Sequence, residues 1–500
     1  MTPQPLFIAA ILVLYLAVVT GTGVYVSRRY QDKQGSFISQ YFLGGRGLGG
    51  YVLAMTLVAT YTSASSFLGG PGTAYQQGLG WVLLAMIQLP SMYVTLGVLG
   101  KRFAIVGRKI KAVTVVDFLR ERYEGNRAVT VLSAFFIVAF LMAAVVAQFI
   151  GGARLFQSVT GLSYIGSLLL FTTVVMVYVT LGGFAAVALN DAINGTVMFV
   201  GTVILLFTTV AAGGGVANIV EQLHTINPDL LTPTGVDHFI SLPWISSFWV
   251  LVCIGILGLP QNAVRAMAYK DSRAMHNAII IGTVVIGMLM LGMHLTGVFA
   301  RVILPGIKVT DMAISLLAVE LLPPILAALV LAGPMAAIMS TVDSQLIYIA
   351  GTIIKDVYLN YVNPQAEDHT VSQLSRACNV ILSVVIFTLA IRPPSVIVWI
   401  NLFAFGGLQA AFFWPLLLGL YWKRANATGA LVSQVAGVAA FMIFTVYLPR
   451  PLGLHPIVPT LLISLIAFLV ATYATEPPQS ETIEKFWGYR QEETGAKLAG

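Results

Sequence analysis

The chain is 500 residues long, 58% hydrophobic and only 9% charged. A soluble domain carries about 25% charged residues, so composition excludes a soluble protein and marks an integral membrane protein. The net charge of +7 is explained below by membrane orientation and needs no nucleic-acid partner.

Thirteen apolar runs approach the roughly 20 residues that a helix needs to cross a bilayer. Their limits are 5–27, 49–72, 79–100, 129–153, 162–181, 192–212, 244–263, 277–300, 322–352, 377–391, 395–421, 429–448 and 456–474. The first is not a cleavable signal: MTPQPLF carries no basic charge, and Arg28 and Arg29 follow the apolar run instead of preceding it. That placement puts the N-terminus outside and the Arg pair in the cytoplasm. Thirteen crossings then return the C-terminus to the cytoplasm, and 22 of the 27 Lys and Arg fall on that side. Only Arg154, Arg301, Lys308, Arg392 and Arg450 lie outside. The reading is one transmembrane domain, 1–474, with a partly helical inner loop at 101–128 and an outer loop at 213–243. A polar tail at 475–500 is expected to be disordered or peripheral. Cys253 and Cys378 sit in apolar runs and make no disulfide framework.

The second run is unusual. In ATYTSASSFLGGPG (59–72), five Ser and Thr hydroxyls precede Gly-Gly-Pro-Gly. A backbone that leaves the helix inside a bilayer exposes carbonyls, and these must be met by protein, water or ions. Freed carbonyls and hydroxyls together suit an alkali cation; the alternative is close packing of small residues. The seventh run carries Gly255, Gly258 and Pro260, five runs later. Breaks so spaced predict an all-α, polytopic, five-plus-five inverted-repeat bundle over about 49–421, with two discontinuous helices. In the ninth run, Ala337, Ser340 and Thr341 fall at i, i+3 and i+4 and share one face. They can face the first break, or the hydroxyls can bond back to their own helix.

Ionisable groups at depth are costly and are functional candidates. Asp191 and Asp343 are read as a second cation site or an exit relay, against the alternative of a solvated inner vestibule. His294 is read as a packing residue, Arg154 as a structural anchor and Arg265 as an inner-face topology determinant. Trp81, Trp244, Trp399 and Trp422 are read as interfacial anchors. No His-Glu-x-x-His, Gly-x-Ser-x-Gly or Gly-x-x-x-x-Gly-Lys occurs, so the chain is expected not to be an enzyme. A channel or a membrane sensor is the remaining alternative class, but no pore-lining ring is evident.

Several stretches carry a family resemblance: YFLGGRGLGGYVLAMTLVATYTSASSFLGGPG (41–72), QFIGGARLF (148–156), GGFAAVALNDAINGTVM (182–198), AAIMSTVDSQL (336–346) and LLLGLYWKRANATGAL (416–431). The chain resembles the sodium/solute symporter family nearly end to end. The resemblance implies a sodium site built from the carbonyls of Ala59, Thr62 and Ala337 and the hydroxyls of Ser340 and Thr341. It implies Na+ as coupling ion, no organic cofactor, and a multi-pass place in the bacterial inner membrane with no obligate protein partner. The stretches 63–90, 247–272 and 403–427 resemble the members that carry pantothenate. Another solute, such as an amino acid, monocarboxylate or sugar, is the alternative. Pantothenate is a small anion with hydroxyls and an amide. Freed amides at a half-helix N-terminus could receive its carboxylate without an Arg. The candidate contacts are Tyr61, Ser65, Ser66, Gln88, Gln261 and Asn401.

Overall fold

The computed structural model describes residues 3–30, 48–181 and 184–488, with the side chains of 3–6, 20, 23–30, 178–181, 184–190 and 368 left aside. The side chains of Arg28 and Arg29, on which the orientation leans, lie outside the described set. So do the opening of the 41–72 stretch and part of 182–198.

Among the described residues the protein is helical, with one isolated parallel bridge between Leu48 and Tyr269. In chain order the main helices are α1 (Pro3–Tyr30), α2 (Gly50–Tyr61), α3 (Ser65–Gln77), α4 (Leu79–Lys109), α5 (Val115–Arg122) and α6 (Arg127–Thr160). There follow α7 (Tyr164–Leu181), α8 (Phe184–Ala212), α9 (Leu242–Gly258), α10 (Pro260–Arg265) and α11 (Ser272–Ile303). The rest are α12 (Pro324–Gly351), α13 (Asp368–Ala390), α14 (Ile397–Tyr421), α15 (Ala427–Tyr447), α16 (Ile457–Tyr473) and α17 (Ser480–Trp487). Among the described residues eight helical stretches are long and apolar enough to span a bilayer, and the α2–α3 pair makes a ninth if counted as one bent span. The four other apolar runs coincide with shorter helices at Phe7–Val19, Tyr164–Val177, Leu242–Gly258 and Ile457–Tyr473.

The centre of the bundle is α12, packed by α2, α6 and α8. It is 83% buried over its apolar window, against 33% for α13. Its sequence is small-residue-rich on all sides, which lets neighbours approach. The α2–α3 axis turns by 70° at its break, where Thr62 is extended at φ −77° and ψ 147°. A π-turn at Ser65–Gly69 then leads into the helix around Pro71. The second break is built differently. The end of α9 tightens to a 3-10 turn at Gly255–Gly258, Leu259 is extended, and Pro260 starts α10. Proline tolerates this first-turn position because its missing N–H would have no intrahelical partner there.

Of the tail, residues 475–488 are described, and they take the peripheral form of the expectation. α17 docks on the 101–128 connection, where Glu124 Oε1 accepts from Gln479 N at 2.6 Å and Thr482 Oγ1 at 3.1 Å, and Lys485 pairs with Glu121. Phe486 also packs edge-on to Phe118 of α5.

Candidate functional site

At the first break four backbone amides are taken up by the chain itself. Ala64 N donates to Gln148 Oε1 at 2.8 Å, Ser65 N to Ser63 Oγ at 3.1 Å, and Ser66 N and Phe67 N to Ser63 O at 3.0 and 3.1 Å. These four are therefore not free to receive a carboxylate. Gln148, on α6 and fully buried, escaped the sequence reading. The neighbouring Gly151 explains the Gly pair of that motif, because a Cβ there would overlap Ala64.

The carbonyl side of the break points to α12. Ser340 Oγ lies 3.0 Å from Ala59 O and 3.2 Å from Ala337 O. Thr341 Oγ1 lies 2.8 Å from both Thr62 O and Ala337 O. The hydroxyls therefore bond back to their own helix and also reach across to α2. The structure brings all five residues together as a buried cluster of neutral oxygens. Such oxygens suit a hard monovalent cation, since the hydroxyl lone pairs and carbonyls can replace water. Among the described residues no group of three His, Cys, Asp or Glu is placed to hold a metal.

Towards the other end of α2, Asp191 is 1% exposed and Arg265 is 5% exposed. Thr56 Oγ1 donates to Asp191 Oδ2 at 2.6 Å, Arg265 Nη2 lies 3.7 Å from the same oxygen, and Arg265 Nε donates to Thr56 Oγ1 at 3.3 Å. Arg265 is thus no surface topology marker; burial obliges it to take a counter-ion, and Asp191 supplies one. Asp343 is 2% exposed on α12.

A small cavity of about 40 Å³ gathers Tyr61, Ser65, Ser66, Gln88 and Asn401. It does not include Gln261. The turn at Leu259 and Pro260 restarts the helix and leaves the Gln261 carbonyl accepting from Arg265 Nη1 at 3.2 Å. Tyr61 donates to Val252 O at 2.7 Å and so joins the two discontinuous helices. Asn401 Oδ1 is buried without a partner in the protein, which points it towards water or a solute. His294, read from the sequence as a hydrogen-bonded packing residue, also lines the cavity. Its Nδ1 lies 2.7 Å from Met290 O and must donate, so the neutral ring keeps Nε2 as an acceptor. Gly70 leaves room for that nitrogen, since a Cβ would collide with it.

The aromatic residues form a cover. Trp81 is 2% exposed and packs edge-on to Trp399 at 5.5 Å and Phe248 at 6.3 Å between ring centroids. Trp81 and Trp244 are buried, so the interfacial-anchor reading fails for both. Arg154 does behave as an anchor: it lies over the Tyr164 ring at 4.5 Å and donates to Gln157 Oε1 at 2.9 Å.

A family model described as the sodium:solute symporter family matches residues 41–437. The chain belongs to the sodium:solute symporter family. As a member of it, the chain is 50% identical over 474 residues to the sodium/pantothenate symporter of Escherichia coli K12, covering 94% of this chain and 98% of that protein. It is 47% identical over 463 residues to the sodium/pantothenate symporter of Haemophilus influenzae Rd, covering 92% and 94%. An osmoregulated proline transporter of Bacillus subtilis is 31% identical, with 91% of this chain and 94% of that one covered. In architecture this family member matches a Na+-coupled sialic acid symporter in a substrate-bound outward-open state. The TM-score is 0.74 at 20% identity, covering 95% of this chain and 98% of that one. That match carries the fold alone, and the fold is the inverted-repeat transporter bundle expected from the two breaks.

Proposed function

We propose that the protein is a sodium-coupled secondary transporter that imports pantothenate by alternating access. The observation that carries the substrate is the 50% identity with the sodium/pantothenate symporter of Escherichia coli, spread over 94% of the chain. The geometry supports the same reading. Five oxygens, from Ala59 and Thr62 of α2 and from Ala337, Ser340 and Thr341 of α12, converge at the break whose flanking residues line the small polar cavity. Sodium held there would fix the break in α2–α3, and the break carries Tyr61, Ser65 and Ser66. Binding of the ion would thereby set the geometry of the solute contacts, which is the coupling a symporter needs.

The solute contacts in this reading are Tyr61, Ser65, Ser66, Gln88 and Asn401, with His294 Nε2 as acceptor for a solute hydroxyl. Ligand pockets run to about 300–1,000 Å³, so the 40 Å³ cavity must widen to receive pantothenate. Asp191 and Asp343 mark the ion's inner route. On that route Arg265 competes with the ion for Asp191, favouring release over tight retention. The orientation follows the charge asymmetry, N-terminus outside and C-terminus cytoplasmic, in the bacterial inner membrane.

Uptake of labelled pantothenate into proteoliposomes under an inward sodium gradient tests this function, with unlabelled pantothenate, proline, acetate and glucose as competitors. Competition by pantothenate alone is expected. Sodium-driven uptake of a different solute, with none of pantothenate, would remove the assigned cargo.

A further inference from the structure

Outside the Trp81–Trp399 pair lies a second, larger cavity of about 510 Å³ that the transport site does not use. It is lined by Phe239, Trp244, Trp399, Tyr447, Leu448, Pro449 and Arg450, with Arg450 the one charged residue in that lining. Its guanidinium lies 4.6 Å from the Trp244 ring centroid and 4.8 Å from that of Phe239. One of its N–H groups donates to Phe239 O at 3.2 Å. A guanidinium has five N–H donors, so this leaves donors over for a further acceptor. Trp244, 6% exposed, keeps its indole N–H without an acceptor in the protein. Phe239 packs edge-on to Trp399 at 6.2 Å, and Trp399 in turn packs on Trp81, which lines the inner cavity.

We infer that this vestibule is a capture site for the anionic solute. Its carboxylate sits on Arg450, and its methyl and methylene groups lie against Trp399, Phe239 and Trp244. The chemistry answers a deficit found deeper in the protein: four amides at the first break are taken by the chain itself, and no Arg or Lys lines the inner cavity. An anion therefore meets its cation at the mouth, before the sodium-loaded site. A single positive charge at an open aromatic bowl raises the local concentration of a carboxylate and speeds its arrival. Separation of Trp81 from Trp399 would then pass the solute inward. The inference rests on the import direction and cargo proposed above.

Uptake kinetics in proteoliposomes test it with Arg450→Gln, Arg450→Lys and a neutral competitor, pantothenate with its carboxylate replaced by a carboxamide. An exposed charge pair is worth up to about 1 kcal/mol, so Arg450→Gln is expected to raise KM for pantothenate about fivefold with Vmax unchanged. Inhibition by the carboxamide should be equal in wild type and Arg450→Gln, and Arg450→Lys should restore most of the lost affinity. Equal weakening of acid and amide would show a structural role for Arg450 and overturn the capture site. An unchanged KM beside normal wild-type uptake would overturn it too while leaving the transport function standing. Absence of uptake by the wild type would overturn the function and this capture step together.

Discussion

Gln148 and Gln409 are buried glutamines that each meet backbone at an interrupted helix: Gln148 accepts from Ala64 N, and Gln409 Nε2 donates to Leu251 O at 2.7 Å. A buried amide left unpaired costs about 1–3 kcal/mol. Gln148→Ala is therefore expected to lower thermal stability in detergent by that order and to raise the sodium concentration for half-maximal uptake. An Ala variant indistinguishable from wild type would deny Gln148 this role. Gly151→Ala places a methyl against Ala64 and should likewise weaken sodium dependence, read as uptake against sodium concentration, whereas Gly161→Ala, with open space around its Cβ, should leave sodium dependence intact and show only the local cost of a positive φ. Helical spacing places Ser340 and Thr341 on one face with Ala337, and the family resemblance singles them out as candidate sodium ligands. Gln148, His294 and the Asp191–Arg265 pair could not be read so, because each acquires its role from a partner distant in the chain, and periodicity names no partners.

At the scale of elements, the connection between α11 and α12 packs on the half-helix that follows the first break. Thr310 packs against Gly72 so closely that a Cβ there would lie 2.5 Å from the Thr310 carbonyl. The next residue, Asp311, accepts from the N-terminal amide of α14, Ile397 N, at 3.4 Å. Burial pushes the Asp311 carboxyl up to about 6, opposed by that amide and by the nearby Arg154. A carboxyl with a folded pKa above its unfolded value of 3.8 holds its proton more tightly when the loop is docked. Docking is then favoured below that window and weakens as pH rises from about 4 to 6. The melting temperature in detergent should fall over that interval, and Asp311→Asn should remove this part of the slope. An identical slope in both proteins would rule out Asp311 as its source. This loop was opaque in the sequence, as was the docked α17: short polar segments carry no periodic signal, and their positions are set by what they land on. The interrupted helices were visible because glycine and proline among bilayer-length apolar residues have few structural uses.

For the whole molecule, the fold was legible from two breaks five runs apart, and the family architecture agrees with it. The cargo was legible only through resemblance, since a pocket of neutral polar residues suits many small solutes. The energetics depend on the ion count. One Na+ with one monovalent anion moves no net charge, while a second Na+ would add about 2.3 kcal/mol per 100 mV. The engagement of Asp191 by Arg265 argues for electroneutral transport with a single retained ion, so an inside-negative potential should leave steady-state accumulation unchanged. The central claim is that ion and solute are coupled through the oxygens between α2 and α12. The most direct measurement is pantothenate accumulation in proteoliposomes under an inward sodium gradient, comparing wild type with the Ser340→Ala/Thr341→Ala double variant. The expected result is sodium-dependent accumulation in the wild type and its loss in the variant, with equilibrative exchange at high sodium partly kept. Accumulation in the variant at the wild-type level and with unchanged sodium dependence would contradict the coupling site.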